Sequence, residues 1–289
     1  MTEAERVLLD LLDIERLEVD LFRGVGSGGE TPIRIFGGQV VAQALAAAYQ
    51  TVDARLCHSL HAYFIRPGDP DIPVVYQVDR ARDGQSFTTR RVVAIQHGRQ
   101  ILNMSASFHT QDDGWDHQHP MPKMNPPESY PAQSELRKKY VDLVPKAMRE
   151  EVARDRPIDV REVDLLDPFN PKPADDHHQM WFRMLAAAGT DARTQHLLLT
   201  YASDMRLMSS GMRPHGLSWF SGAVNAASLD HAIWFHAPVH FENWHLYCMN
   251  SPWTGQGRSF NRGSIYSEDG VLVASVAQEG LMRQSAKKV

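Results

Sequence analysis

Cysteine is almost missing from this chain of 289 residues: Cys57 and Cys248 are its only two. They stand far apart and outside any Cys-x-x-Cys pair, so neither a disulfide framework nor a cysteine zinc site is implied. An excess of positive charge is missing too. Thirty Lys and Arg face thirty-five Asp and Glu, a formal net charge of -5, which argues against a binder of duplex nucleic acid. No apolar run is long and clean enough to span a membrane. The longest uncharged stretch of interest, from Ile35 to Val52, contains Gly37, Gly38, Gln39, Gln43 and Gln50, which lipid would tolerate only at a cost. Residues 1–12 carry Glu3, Glu5, Arg6 and Asp10 where a signal peptide needs a basic start and an apolar run. Residues 286–289 lack a Ser-Lys-Leu type of peroxisomal address. A reducing cytoplasm is the expected compartment.

Hydrophobic residues make up 43% of the chain and charged ones 22%, enough for a full core and too little charge for disorder. The length allows about two domains. From Gln39 to Gln50 alanine and valine fill most positions, which predicts a helix with almost no polar face, enclosed by something curved and with Gly37 and Gly38 at its amino end. Strand patterns follow over 57–65, 73–82, 86–96 and 100–109, separated by an Asp83-Gly84 turn and a His97-Gly98 turn. This is an antiparallel meander.

The same order returns, with a helix expected over 194–208 and strands over 228–235, 245–250 and two more beyond. Leu60-His61-Ala62 is echoed by Asp230-His231-Ala232, Gly84-Gln85-Ser86-Phe87 by Gly257-Arg258-Ser259-Phe260, and His97-Gly98 by Asp269-Gly270. An offset near 170 residues, kept in one order, implies two copies of one unit. Five prolines between Thr110 and Glu135 suit an extended connector, and 136–155 reads as one charged amphipathic helix. The expected organisation is an N-terminal unit over 1–111, a connector over 112–155 and a C-terminal unit over 156–289.

Several chemical patterns are weighed and set aside. Gly24, Gly26 and Gly29 match G-x-G-x-x-G, but Glu30, Thr31 and Pro32 follow where a dinucleotide fold needs a helix. There is no Walker loop, and Val25 replaces the glycine that a nucleophile elbow around Ser27 would need. Asp112, Asp113, His117 and His119, with Asp175, Asp176, His177 and His178, contain ligand types in polar connectors without helical spacing, and solvated charge explains them better than a metal. Ser228, Asp230 and His231 imitate a hydrolase triad, yet strand neighbours point to opposite faces and could not form its contacts.

Asp204 carries more information. With Leu197, Tyr201 and Met208 it falls on one face of the expected helix, an acidic group inside an apolar stripe, where it is either a general base or a helix-edge carboxylate. Gln278 ends a row begun by Leu272, Ala274 and Val276 on one side of the last strand. Its counterpart in the first copy is Phe108 or Ala106, at offsets of 170 or 172. Ser228 is expected to start a strand of the same copy. A carboxylate, a hydroxyl and an amide could together hold one water.

At these residues the sequence resembles the type II acyl-CoA thioesterases, in which two hot-dog units are fused in one chain. The segments that carry the likeness are 36–44, 58–68 and 82–87 in the first half and 201–204, 229–236 and 269–280 in the second. The resemblance implies an α+β double hot-dog fold, each unit an antiparallel sheet wrapped around a central helix. It implies hydrolysis of medium- to long-chain fatty acyl-CoA to free acid and coenzyme A, without a covalent intermediate and without cofactor or metal. It places the water-activating set on Asp204, Ser228 and Gln278, Ser228 standing where the family usually has Thr. Gly37, Gly38 and His58 are candidates for substrate contact, the two glycines through oxyanion-binding N–H groups. Arg80, Arg82, Arg90 and Arg91 are expected on an exposed hairpin face rather than against coenzyme A phosphates. Self-association into a homo-oligomer is expected. The rival readings are a hot-dog hydratase or dehydratase and a non-catalytic acyl-ligand module.

Overall fold

The computed structural model describes residues 1–27 and 34–285; Gly29 to Pro32 of the glycine loop and the terminal 286–289 lie outside them. Helix α1 (Glu3–Leu12) leads into a hairpin, β1 (Glu15–Glu18) and β2 (Leu21–Gly24). The alanine-rich α2 (Gly37–Tyr49) follows, then the meander β3 (Leu56–Phe64), β4 (Val74–Asp83), β5 (Phe87–Gln96) and β6 (Arg99–His109). The connector holds two short helices, α3 (Gln133–Tyr140) and α4 (Lys146–Ala153). The second half begins with β7 (Asp159–Glu162) and β8 (His178–Arg183), continues through α5 (Ala192–Ser203) and α6 (Leu207–Met212), and ends in strands β9 (Val224–Ser228), β10 (Asp230–Phe235), β11 (His245–Gly255), β12 (Arg258–Ser267) and β13 (Leu272–Gln284).

All thirteen strands join one antiparallel sheet in the order β1-β2-β4-β5-β6-β3-β10-β13-β12-β11-β8-β7, with β9 beside β13. The order mirrors itself about the β3–β10 seam, so each half repeats hairpin, helix and meander. The expected double hot-dog is what forms. The local causes are visible: strand β5 buries every second residue along its length, and His97 and Gly98 both take positive φ, 49° and 69°, as a two-residue hairpin with the right twist requires.

The pairing register corrects the sequence alignment of the copies. A bulge follows Asp79–Arg91 in β4–β5 and Asn250–Arg262 in β11–β12, so these strands correspond at an offset of 171. Carrying the pairing to the centre places Ser228 opposite Cys57 in the repeat, His231 opposite Leu60, and Gln278 opposite Ala106 at 172. His61, which the sequence aligns with His231, faces outward, whereas Leu60 and His231 are both buried.

Helices α2 and α5 run antiparallel under the sheet, inside one apolar core that includes Leu45, Leu60, Leu198 and Ile233 from both halves. At one end Arg193 of α5 donates to the Tyr49 and Val52 carbonyls that close α2. The other end brings Gly38 to Asp204.

Four expectations need correction. The helix over 194–208 is two helices broken at Asp204, and Ser228 ends β9 instead of starting a strand, Leu229 separating it from β10. The helix over 136–155 is split by Pro145 into α3 and α4, as a proline does when its ring meets the preceding turn. Arg90 is not on an exposed face. It is buried and bonds the Thr51 hydroxyl and carbonyl and Asp83, which ties the end of α2 to β4 and β5. Residues 110–126 of the proline connector form neither helix nor strand, and the Gln118 side chain clamps them to Gly270 and Leu272.

Candidate active site

Asp204 owes its position to the end of a helix. Helix α5 stops there, and two residues on Arg206 takes a left-handed conformation, φ 65°, which a residue with a Cβ adopts only under constraint. The constraint comes from β7 and β8. Arg206 Nε donates to Glu162 at 2.9 Å, and Glu162 also meets His178 at 2.5 Å. Thus His178, set aside as solvated charge, is buried and part of an ionic latch. Burial pushes the Glu162 carboxyl up, but His178 and Arg206 outweigh it and hold the group at about 2. A carboxyl near 4.3 in the unfolded chain and near 2 in the folded one stabilises the protein fully above the former value. That contribution is lost as pH falls through the latter. Melting curves between pH 6 and 2.5 should therefore show an acid-dependent loss of stability that Glu162→Gln removes in part.

Around Asp204 four elements converge. The Asp204 side chain is only 6% exposed, and its two oxygens take different donors. Oδ2 accepts the Gly38 N–H at the start of α2 at 2.9 Å, and Oδ1 accepts Gln278 Nε2 from β13 at 2.5 Å. Helix α2 has no side-chain cap from its own Phe36, so a carboxylate from the other half of the chain satisfies a first-turn N–H and faces the positive end of the helix. Gln278 Nε2 also lies 3.2 Å from Ser228 Oγ. The three residues expected to act together, Asp204, Ser228 and Gln278, thus meet at one amide nitrogen.

Behind them stands His231, wholly buried, with Nδ1 3.2 Å from Gln278 Nε2 and Nε2 2.8 Å from Ser203 Oγ. Burial pushes the imidazole pKa down, and the Asp204 charge offsets part of that. Gln278 is fully buried, and its Oε1 has no hydrogen-bond partner among the described residues. A buried acceptor of this kind calls for a donor from water or substrate. Gln278 and His231 border a cavity of about 110 Å³, shared with His61, Tyr63, Asp230 and Phe260, which is room for a few waters; neither Asp204 nor Ser228 lines it. A larger cavity of about 540 Å³, lined by His240, His245, Glu268 and Asp269 among others, holds none of these residues.

Other expectations fare differently. Asp230 turns away from His231 and accepts the Glu279 N–H, so the opposite-face argument against a compressed triad holds. His58 is not at this site. It lies six residues along β3 from Phe64, whose ring packs near Gly37, roughly 20 Å away in an extended strand; its ring contacts Ser107, Phe87 and His109 instead. The first half holds no second copy of the set, because Cys57, Leu60 and Ala106 occupy the places of Ser228, His231 and Gln278. Sequence reading did not anticipate that His231 and Ser203 pack behind Gln278. The one signal available was a histidine inward-facing by alternation two residues before Ile233.

The arrangement contains a carboxylate, a hydroxyl, an amide and helix N–H groups but no thiolate and no activated serine. Among the described residues no three His, Cys, Asp or Glu side chains are grouped to hold a metal ion, and no helix is long and apolar enough to cross a membrane.

Residues 147–281 match the family described as acyl-CoA thioesterase, and residues 28–109 match the acyl-CoA thioesterase N-terminal domain. The chain is 36% identical to acyl-CoA thioesterase 2 of Haemophilus influenzae, covering 99% of this chain and all of that one. It is 37% identical to human acyl-coenzyme A thioesterase 8, covering 94% of this chain and 88% of that one. Among solved structures, an acyl-CoA thioesterase II from Mycobacterium marinum superposes with a TM-score of 0.77 at 38% identity, covering 98% of this chain and 99% of that one. A protein from Alicyclobacillus acidocaldarius described as having a hot dog fold does so at 0.76 with 20% identity, covering 99% and 100% of the two chains, a likeness of fold alone.

Proposed function

The chain belongs to the acyl-CoA thioesterase family and hydrolyses acyl-CoA thioesters, and we propose that it does so through Asp204, Ser228 and Gln278 acting on a water molecule. The observation that carries this reading is the convergence of Asp204 Oδ1 and Ser228 Oγ on Gln278 Nε2, with the unpartnered Gln278 Oε1 beside them.

In this mechanism Asp204 takes a proton from the water as the oxygen attacks the thioester carbonyl, and Ser228 and Gln278 set the direction of attack. The tetrahedral oxyanion falls to an N–H at the start of α2. Gly38 is not that donor, because its N–H is already given to Asp204; the adjacent first-turn N–H of Gly37, which has no partner within its own helix, takes the role. Collapse of the intermediate breaks the C–S bond, and the proton held by Asp204 passes to the leaving thiolate. Coenzyme A and free acid result, with no acyl-enzyme.

The acyl chain is assigned to the methionine-rich cluster behind Ser228. Met208, Met212 and Ala226 are buried there with Leu217, Val224 and Met282 against them, and the Ser228 hydroxyl lies 3.7 Å from Met208 Sδ. Unbranched methionines repack readily around a flexible ligand, which supports medium- to long-chain substrates. Multiple-turnover release of thiol from acyl-CoAs of increasing length tests the assignment. A hydratase would leave the thioester intact, and a binding module would release no more than one equivalent.

Ser228 supplies a sharper prediction. Ser228→Ala should lower kcat by about 10²-fold, whereas Ser228→Thr, which restores the family's usual residue and restricts the hydroxyl rotamer, should keep most of the activity. Equal kcat for Ser228→Ala and the wild type would remove the hydroxyl from the mechanism.

The same reading takes residues 1–111 and 156–289 as the two units, with 112–155 as connector. A cytoplasmic site suits two free cysteines, Cys57 and Cys248. Exposed Tyr63, Phe87, Trp253 and Phe260 on the strands support a homo-oligomer, since large exposed aromatics mark association surfaces.

A further inference from the structure

We propose that His231 is a positioning residue that, together with Asp204, locks the nitrogen end of the Gln278 amide toward Asp204 and Ser228. The inference rests on the hydrolytic reading above and goes beyond it, because it gives a role to a residue that hydrogen-bonds Gln278 and Ser203 and stands 3.9 Å from Asp204 Oδ1.

An amide side chain can occupy the same space with its oxygen and nitrogen exchanged; the Asp204 carboxylate at 2.5 Å favours the nitrogen, and a second acceptor behind the site reinforces that choice. That second acceptor is set from helix α5. The Ser203 hydroxyl has one proton, and it donates that proton to the Thr200 carbonyl at 2.8 Å. At its contact with His231 Nε2, Ser203 Oγ therefore accepts, and the imidazole proton sits on Nε2. A neutral imidazole protonated at Nε2 presents a lone pair at Nδ1. A lone pair 3.2 Å from the Gln278 amide tolerates an N–H group there and repels an oxygen.

Thus a helix carbonyl sets a serine, the serine sets a histidine tautomer, and the tautomer holds the Gln278 NH2 in the orientation that Asp204 also favours. Oε1 is left pointing elsewhere as an acceptor. Tyr247 holds the relay from below by donating to the Ser203 carbonyl. Ser203, His231 and Gln278 are all buried. The first half offers the control that nature has already built: with Ala106 in place of Gln278 there is no amide to orient, and the histidine position is Leu60.

Steady-state thiol release and melting temperature should be measured for the wild type, His231→Leu, His231→Asn, Ser203→Ala, Gln278→Ala and the double variant His231→Leu with Gln278→Ala. His231→Leu should lower kcat on the order of 10–100-fold, the range found for groups that orient a reacting side chain, with KM changed by less than about threefold. His231→Asn, whose Oδ1 restores an acceptor near the place of Nδ1, should recover part of the loss. In the Gln278→Ala background the Leu substitution should change kcat by no more than about twofold, because its effect passes through the amide. Ser203→Ala, which leaves the imidazole in place but frees its tautomer, should lower kcat in the same background-dependent way and reports even if His231→Leu folds poorly. Wild-type kcat in both His231→Leu and Ser203→Ala, or equal losses with and without Gln278, would overturn the proposal while Gln278→Ala remains impaired. Wild-type kcat in Gln278→Ala would instead overturn the hydrolytic reading itself.

Discussion

Asp204→Asn is expected to reduce kcat for thiol release by about 10²–10⁴-fold, the usual contribution of a positioned general base, while the protein stays folded. Two losses combine. The amide cannot take a proton from water, and it cannot satisfy both donors that now share the carboxylate. Asp204 gives Oδ2 to the Gly38 N–H and Oδ1 to Gln278 Nε2; Asn has a single acceptor oxygen. If that oxygen keeps Gly38, the new NH2 faces the Gln278 NH2 and must turn it, against the lone pair of His231. Folding should suffer little, because Asn serves at a helix amino end nearly as well as Asp. A melting temperature within a few degrees of wild type, together with collapsed turnover, is the expected result. Undiminished turnover by a pure Asp204→Asn sample would remove the carboxylate from the chemistry.

Gly38→Ala should have the largest effect on stability. Propensity alone predicts the opposite sign, since Ala inside a helix is favoured over Gly by about 1 kcal/mol. Packing decides the matter. A methyl on Gly38 overlaps the Tyr201 carbonyl oxygen of α5 and comes within 2.6 Å of the Phe36 ring; the oxygen is backbone and cannot swing aside. Helices α2 and α5 must then separate, and overpacking of this sort costs about 1–3 kcal/mol or more, which for a chain of this size lowers the melting temperature by roughly 2–4 °C per kcal/mol. Because Asp204 is seated on the Gly38 N–H, turnover should fall as well. Gly114→Ala, with nothing within 4 Å of the new methyl, is the matched control and should change neither quantity. A Gly38→Ala protein that melts higher than wild type and turns over normally would show that the two helices have slack at this contact.

These two predictions differ in how far a linear reading could have reached them. Asp204 and Gln278 stand out in sequence because an acidic group and an amide interrupt apolar periodicity, and Ser228 joins them through family resemblance. Gly38 looks like an ordinary helix start, and nothing in its neighbours announces that the other half of the chain passes within contact distance. The offset between the repeats misleads in the same way: the His61 and His231 echo is one residue out of register, and only the bulges shared by β4–β5 and β11–β12 reveal that Leu60 is the true counterpart. Arg90 and His178 were read as surface charge because burial of a charged group depends on partners that arrive from distant strands.

Strand alternation, the Asp-Gly and His-Gly turns, the alanine-rich helix and the duplication were dictated by neighbours within a few positions, and so the order of elements and the double hot-dog were settled before any coordinates. The break in α5 at Asp204, the left-handed Arg206 held by Glu162, the seating of Asp204 on the opposite unit's helix and the relay through Ser203 and His231 were decided only when the chain folded. Each depends on groups between 28 and 166 residues apart in sequence, and no local pattern encodes the direction in which such distant side chains will point.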